Sequence, residues 1–141
     1  MSAVLRASRT PMPWAERLPS VKRNNEEELL QRSVMQFLTV ALPPDAVAYA
    51  VPNGGLRSPR EAARMKGMGV TAGIPDIAIV FRSRALFIEL KGQRGVQSPA
   101  QRAMANKLNY CGADVMLCRS VEDCERSLRE ACVPLRTSVM T

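Results

Sequence analysis

Histidine is absent from the 141 residues, which removes the commonest general base and the Ser-His and Cys-His nucleophile arrangements. Any chemistry must run on carboxylates, lysine and metal. Aromatic residues are also scarce, at 4%. The stacking platforms of single-strand binding modules therefore have little material, and phosphate contacts and duplex shape are the expected modes for a nucleic-acid partner. Cys111, Cys118, Cys124 and Cys132 show no CxxC spacing, so structural zinc is not expected. The thiols read as buried small hydrophobes or surface groups in a reducing compartment. The N-terminus lacks a signal peptide's apolar core, and no apolar run nears the roughly 18 residues of a membrane span. A cytoplasmic protein with no membrane partner is expected.

What is present is positive charge: 20 Lys and Arg against 13 Asp and Glu, for a net +7. A polyanion is the natural partner, although a basic surplus also serves plain solubility. A hydrophobic content of 46% and this length suit one domain with a single core.

Residues 1–23 carry Arg6, Arg9, Arg17, Lys22 and Arg23 among Pro11, Pro13 and Pro19 and read as a flexible basic arm. The arm loosely resembles an organelle transit peptide, but its prolines oppose a sustained amphipathic helix. The folded domain is expected over 24–131, with 132–141 as a tail. From an Asn24 or Asn25 cap, Leu30, Val34, Phe37, Leu38 and Ala41 recur at helical spacing, and Pro43-Pro44 ends that helix. A short strand follows at 46–51, then a turn at Asn53-Gly54-Gly55, and a short helix opened by the capping box Ser58-Pro59-Arg60-Glu61. Residues 76–81 and 85–91 read as strands joined by a tight turn. Ser98-Pro99-Ala100-Gln101 starts a helix that stops near Gly112, 114–118 is a strand, and Ser120 caps a last helix. This order indicates an α/β fold, a mixed central sheet flanked by helices.

Glu89 and Lys91 stand two apart on an expected strand, so both leave one face among apolar Phe87, Ile88 and Leu90. A strand end emerging into solvent would also explain them. Asp76 sharpens the reading. If Arg82 and Ser83 form a two-residue turn, Phe81 pairs with Arg84 and Asp76 falls opposite Glu89. Facing carboxylates repel unless a cation sits between them, and hard oxygens select Mg²⁺ or Mn²⁺. A metal held there can polarise a phosphodiester and activate water, and Lys91 can orient or deprotonate that water and neutralise developing charge.

Gly73-Ile74-Pro75-Asp76 followed by Ile88-Glu89-Leu90-Lys91 resembles the signature of the PD-(D/E)xK nuclease superfamily. Adding Glu27-x-x-Leu30-Gln31, Pro52-Asn53-Gly54-Gly55 and Ser98-Pro99-Ala100-Gln101, the set resembles the virus-type replication-repair nuclease (VRR-NUC) domain over roughly residues 26–129. The resemblance implies a restriction-endonuclease-like core in which Asp76, Glu89 and the Leu90 carbonyl hold Mg²⁺ or Mn²⁺ and Lys91 serves the water. It implies Gln101 beside Lys91, where a capping-box role is equally compatible. It also places an acid from the first helix near the metal. On a wheel centred on the apolar stripe, Glu27 lies nearest the buried face, Glu26 next and Glu28 nearly opposite; without Leu38, Glu26 draws level. All three also suit a helix N-terminus through its dipole.

Asn53, Gly54 and Gly55 are placed near the site by the family, where backbone N–H groups meet phosphate. Arg57, Arg60, Arg64, Lys66, Arg94 and Arg102 are candidate phosphate contacts or an ordinary solvated face. Small members of the family resemble Holliday junction resolvases acting as dimers. That implies a junction-selective endonuclease on branched DNA, a homodimer with no small-molecule cofactor, in a bacterial or phage-infected cell. Apolar residues of 133–139 are candidates for the dimer surface. The alternatives are a catalytically idle DNA-binding module, a nuclease for flaps or plain duplex, and an RNA-directed nuclease.

Overall fold

The computed structural model describes residues 21–52 and 58–139, with side chains from Asn25 onward. Helix α1 (Val21–Ala41) begins earlier than an asparagine cap predicts, since nothing in Val21-Lys22-Arg23 breaks a helix and the turn before Asn24 simply continues. Three residues assigned to the basic arm thus belong to α1. The arm before Val21 lies outside the described residues. Val34, Phe37, Leu38 and Ala41 are all at most 5% exposed, so the apolar stripe read from the sequence is the face that packs. Pro43 and Pro44 stop the helix, the first by steric conflict with the residue before it and both by lacking a donor.

Strand β1 (Ala46–Ala50) precedes helix α2 (Pro59–Gly67), whose Ser58 hydroxyl accepts from the Glu61 N–H at 3.1 Å. Strands β2 (Ile77–Phe81) and β3 (Arg84–Leu90) form a hairpin. Its two turn residues, Arg82 and Ser83, have φ of 45° and 66°, as a two-residue turn matched to strand twist requires. Asp45 pairs with Arg82 at 2.6 Å; both are exposed. Helix α3 (Pro99–Tyr110) carries the complete Ser98 and Gln101 capping box, and Gly112 at φ 95° turns the chain out of it. Strand β4 (Asp114–Cys118) and helix α4 (Val121–Glu130), capped by Ser120, complete the fold.

The sheet order is β1-β2-β3-β4, antiparallel at the first two joints and parallel between β3 and β4. It is the mixed sheet flanked by helices that the element order indicated. Parallel pairing needs a crossover, and α3 supplies it. Alternation splits the sheet into two faces. Ile77, Ile79, Phe81, Leu86, Ile88, Leu90, Met116 and Cys118 join α1 and the Cys124 and Leu128 side of α4 in one core. The opposite parity carries Phe87, Glu89 and Lys91, and there the N-terminus of α3 is bonded to the sheet through Gln101.

Residues after α4 fold back rather than leave the domain. Val133 is 2% exposed and Leu135 packs on the core, while the Arg136 N–H donates to Ala41. Those two apolar residues serve this chain's own core and are not free for a dimer surface. The fold-back is tied by Glu125, fully buried, which pairs with Arg129 at 2.9 Å and accepts the Val139 N–H at 3.1 Å. Cys118 and Cys124 lie in the core, Cys111 and Cys132 on the surface. No described helix is long and apolar enough to cross a membrane.

Candidate active site

The hairpin register runs from Phe81 opposite Arg84 to Ile77 opposite Ile88, and its next step outward sets Asp76 against Glu89. Asp76 precedes β2 rather than starting it, and its Oδ2 accepts the Leu90 N–H at 2.8 Å. That bond fixes the first carboxylate on the end of β3. Glu89 is only 2% exposed. Its Oε1 accepts from the Gln101 Nε2 at 2.9 Å and lies 3.4 Å from the Lys91 Nζ. Gln101 keeps its capping-box role, its Oε1 taking the Ser98 N–H at 2.9 Å, and its amide nitrogen is spent on Glu89.

This environment strains the charge on Glu89. Burial first, then the Asp76 charge, raise its carboxyl to about 7, and the Lys91 ammonium opposes them only in part. A buried carboxylate whose charge is disfavoured beside a second carboxylate is a donor set that a divalent cation relieves. Both are hard oxygen donors, which fits Mg²⁺ or Mn²⁺. Among the described residues no third Asp, Glu, His or Cys joins them in a metal-binding cluster. The remaining ligands would then be backbone carbonyl, water and phosphate, the mixed shell Mg²⁺ favours.

The first-helix glutamates divide. Glu27 is half-buried and lines the same groove as Asp76, on the side the helical wheel indicated; Leu38, at 1% exposure, does belong to the stripe. Glu26 instead faces the turn after β3, where its Oε1 accepts the Gln93 N–H at 2.9 Å. A Cβ on Gly92 would come 2.9 Å from the Glu26 carboxylate, so a larger residue there would make that side chain shift. Glu28 pairs with Arg32 in solvent at 2.9 Å.

The groove encloses about 1350 Å³ and runs past Glu27, Gln31, Lys66, Asp76, Ser98 and Gln101. Its floor depends on Gly73, which at φ 82° presses against the Ala100 carbonyl where α3 begins. Helix α2 forms the far side; it buries no residue and carries Arg64 and Lys66 in its last turn. Arg60, Arg94 and Arg102 are exposed as well. Asn53, Gly54, Gly55 and Arg57, candidates from the sequence, lie outside the described residues. One polar residue at this end of the sheet escaped the sequence reading: Arg119, whose Nη1 donates at 2.7 Å to each of the Gly92 and Gly95 carbonyls.

Comparison with known proteins bears on the fold and the family. No curated protein matches the chain in sequence. A solved structure titled "VRR_NUC domain protein" superposes with a TM-score of 0.56 at 22% identity, covering 73% of this chain and 84% of its own. Another, titled "VRR_NUC domain", gives a TM-score of 0.49 at 18% identity over 74% of this chain and 95% of its own. The first supports the fold. The VRR-NUC domain matches residues 21–122, from the start of α1 into α4 and across every strand, and the chain therefore belongs to the VRR-NUC domain family of nucleases.

Proposed function

We propose that this protein is a divalent-metal-dependent endonuclease that hydrolyses phosphodiester bonds in branched DNA, of the Holliday-junction type, and that it works as a homodimer. The observation that carries the reading is the buried Glu89 held beside Asp76, which lines an open groove, with the Lys91 ammonium 3.4 Å from the Glu89 Oε1. Asp76, Glu89 and the Leu90 carbonyl would hold Mg²⁺ or Mn²⁺, with Glu27 approaching from the groove wall. When bound, the metal supplies charge stabilisation and a more acidic water.

The chain's own residues do the rest. Gln101 fixes the rotamer of Glu89, and the Leu90 N–H fixes that of Asp76, so neither carboxylate needs reorientation during the reaction. Lys91, tethered by Glu89, orients the attacking water as an ammonium and stabilises charge growing on the phosphate, or as the neutral amine takes the water's proton. Arg60, Arg64, Lys66, Arg94 and Arg102 bind backbone phosphates, with Asn53, Gly54, Gly55 and Arg57 as further candidates. An exposed cationic helix beside an open groove meets backbone and shape rather than base edges, which suits a substrate defined by branching.

The test is cleavage of a labelled four-way junction, a flap, a single strand, a plain duplex and an RNA duplex in Mg²⁺, Mn²⁺ or EDTA, with wild type against Asp76→Ala. Metal-dependent cutting of the junction by wild type alone supports the proposal. Preference for another substrate replaces the branched-DNA part, and tight binding without cutting replaces the enzyme with an idle DNA-binding module.

A further inference from the structure

The turn that follows Lys91 is held from outside at three points, none of which touches the carboxylate pair. Its own closure is the Gly95 N–H donating to the Gly92 carbonyl at 3.1 Å. Glu26 of α1 takes the Gln93 N–H at 2.9 Å. Arg119, the residue after β4, spans the turn by giving one nitrogen to both the Gly92 and Gly95 carbonyls at 2.7 Å. Arg119 is itself anchored: its N–H donates to the Asp123 Oδ2 at 2.9 Å. Next to it, the Cys118 carbonyl accepts the Lys91 N–H at 3.1 Å.

The turn bears directly on Lys91. A Cβ on Gly95 would lie 3.3 Å from the Lys91 Cδ and 3.5 Å from the Glu27 Oε1, so the backbone at residue 95 packs along the lysine stem. A turn displaced by loss of its donor would release that stem. Lys91, buried with its side chain 10% exposed, would then no longer be confined beside Glu89.

We infer that Arg119 is a positioning residue for the nuclease reaction: by clamping the 92–95 turn through two backbone carbonyls, it fixes Lys91 against Glu89. The inference rests on the nuclease reading above, but the clamp has a readout of its own. Because both acceptors share one nitrogen, a lysine ammonium at residue 119 can serve them, whereas an apolar side chain cannot.

The experiment compares wild type, Arg119→Met, Arg119→Lys, Lys91→Ala and the Lys91→Ala, Arg119→Met double variant on a four-way junction with Mg²⁺. Affinity and single-turnover rate are measured separately, together with amide exchange at Gln93 and Gly95. Arg119→Met should lower the rate by roughly 10- to 100-fold, the scale of a misplaced catalytic group, with junction affinity within about twofold of wild type. Arg119→Lys should retain the rate to within about threefold, and the double variant should be no slower than Lys91→Ala. Gly95 should lose at least about tenfold of its exchange protection in Arg119→Met while Leu90 and Lys91 keep theirs, a local pattern that general destabilisation does not give.

An Arg119→Met rate within twofold of wild type overturns the inference. So does a further tenfold loss on the Lys91→Ala background, or an Arg119→Lys variant as slow as Arg119→Met. If Arg119→Met does not fold, wild-type exchange decides: protected Gln93 and Gly95 amides support the clamp, and freely exchanging ones overturn it. If wild type cuts nothing, the nuclease reading fails, and the same exchange data judge the clamp alone.

Discussion

Replacing Glu89 with glutamine should make the metal-free protein more stable at neutral pH while abolishing cleavage. Glu89 is 2% exposed, and burial and the Asp76 charge raise its carboxyl from 4.5 to about 7. Between those two values the folded protein holds a proton on Glu89 that the unfolded chain has released. Raising the pH through that window therefore favours unfolding, by about 3 kcal/mol once complete. Below about pH 4.5 both states are protonated and the penalty vanishes; above about pH 7 it is fully present. Glutamine is nearly isosteric, and its oxygen can accept from Gln101 and Lys91.

Urea unfolding in EDTA at several pH values would measure this. The stability of Glu89→Gln minus that of wild type should grow by about 3 kcal/mol from pH 4.5 to pH 7.5, or about 10 °C in Tm for a chain of this size. Any fixed difference in packing cancels from that comparison. Adding Mg²⁺ should reverse the order by stabilising wild type through its carboxylate pair. A difference that stays flat with pH would refute the reasoning, because Glu89 would then not be a carboxyl kept protonated by burial beside Asp76.

Asp76→Asn should lose cleavage yet cost no more than about 1 kcal/mol of stability, since an amide oxygen can still accept the Leu90 N–H; circular dichroism and denaturant midpoints check this. Gly73→Ala should destabilise by roughly 2 to 4 kcal/mol, because alanine is strained at φ 82° and its methyl would strike the Ala100 carbonyl, displacing the helix that carries Gln101; a thermal melt reads it. Glu125→Ala should cost about 2 kcal/mol, releasing the fold-back held through Arg129 and Val139, with faster proteolysis after α4 as a second signature. Replacing Arg60, Arg64 and Lys66 together with alanine should flatten the dependence of DNA affinity on salt, lowering the log-log slope by roughly 2 to 3, and leave the ranking of substrates unchanged; binding titrations at several salt concentrations decide it.

The pair Asp76 and Glu89 was legible because a hairpin is a local device. A two-residue turn at Arg82 and Ser83 sets the register, a period of two sets the face, and counting outward from Phe81 and Arg84 meets both carboxylates before any tertiary structure is invoked. The apolar stripe of α1 was legible for the same reason, since 3.6-residue periodicity is written in one segment. The start of α1 was not, because an asparagine is a permissible cap but not an obligatory one, and Val21-Lys22-Arg23 continue a helix without cost. The burial of Glu125 was not legible either, since only the return of the chain to Val139 ties it into the interior. Arg119 gave no local sign at all. An arginine after a strand is a common surface residue, and its partners Gly92 and Gly95 become neighbours only when β4 pairs in parallel with β3. Chemistry that needs particular side chains leaves a pattern of types and spacings, whereas the means of holding them still draws on backbone carbonyls that every residue possesses. The side chains of such a candidate site can therefore be read from the chain, while the contacts that confine its lysine come into view only in the folded sheet.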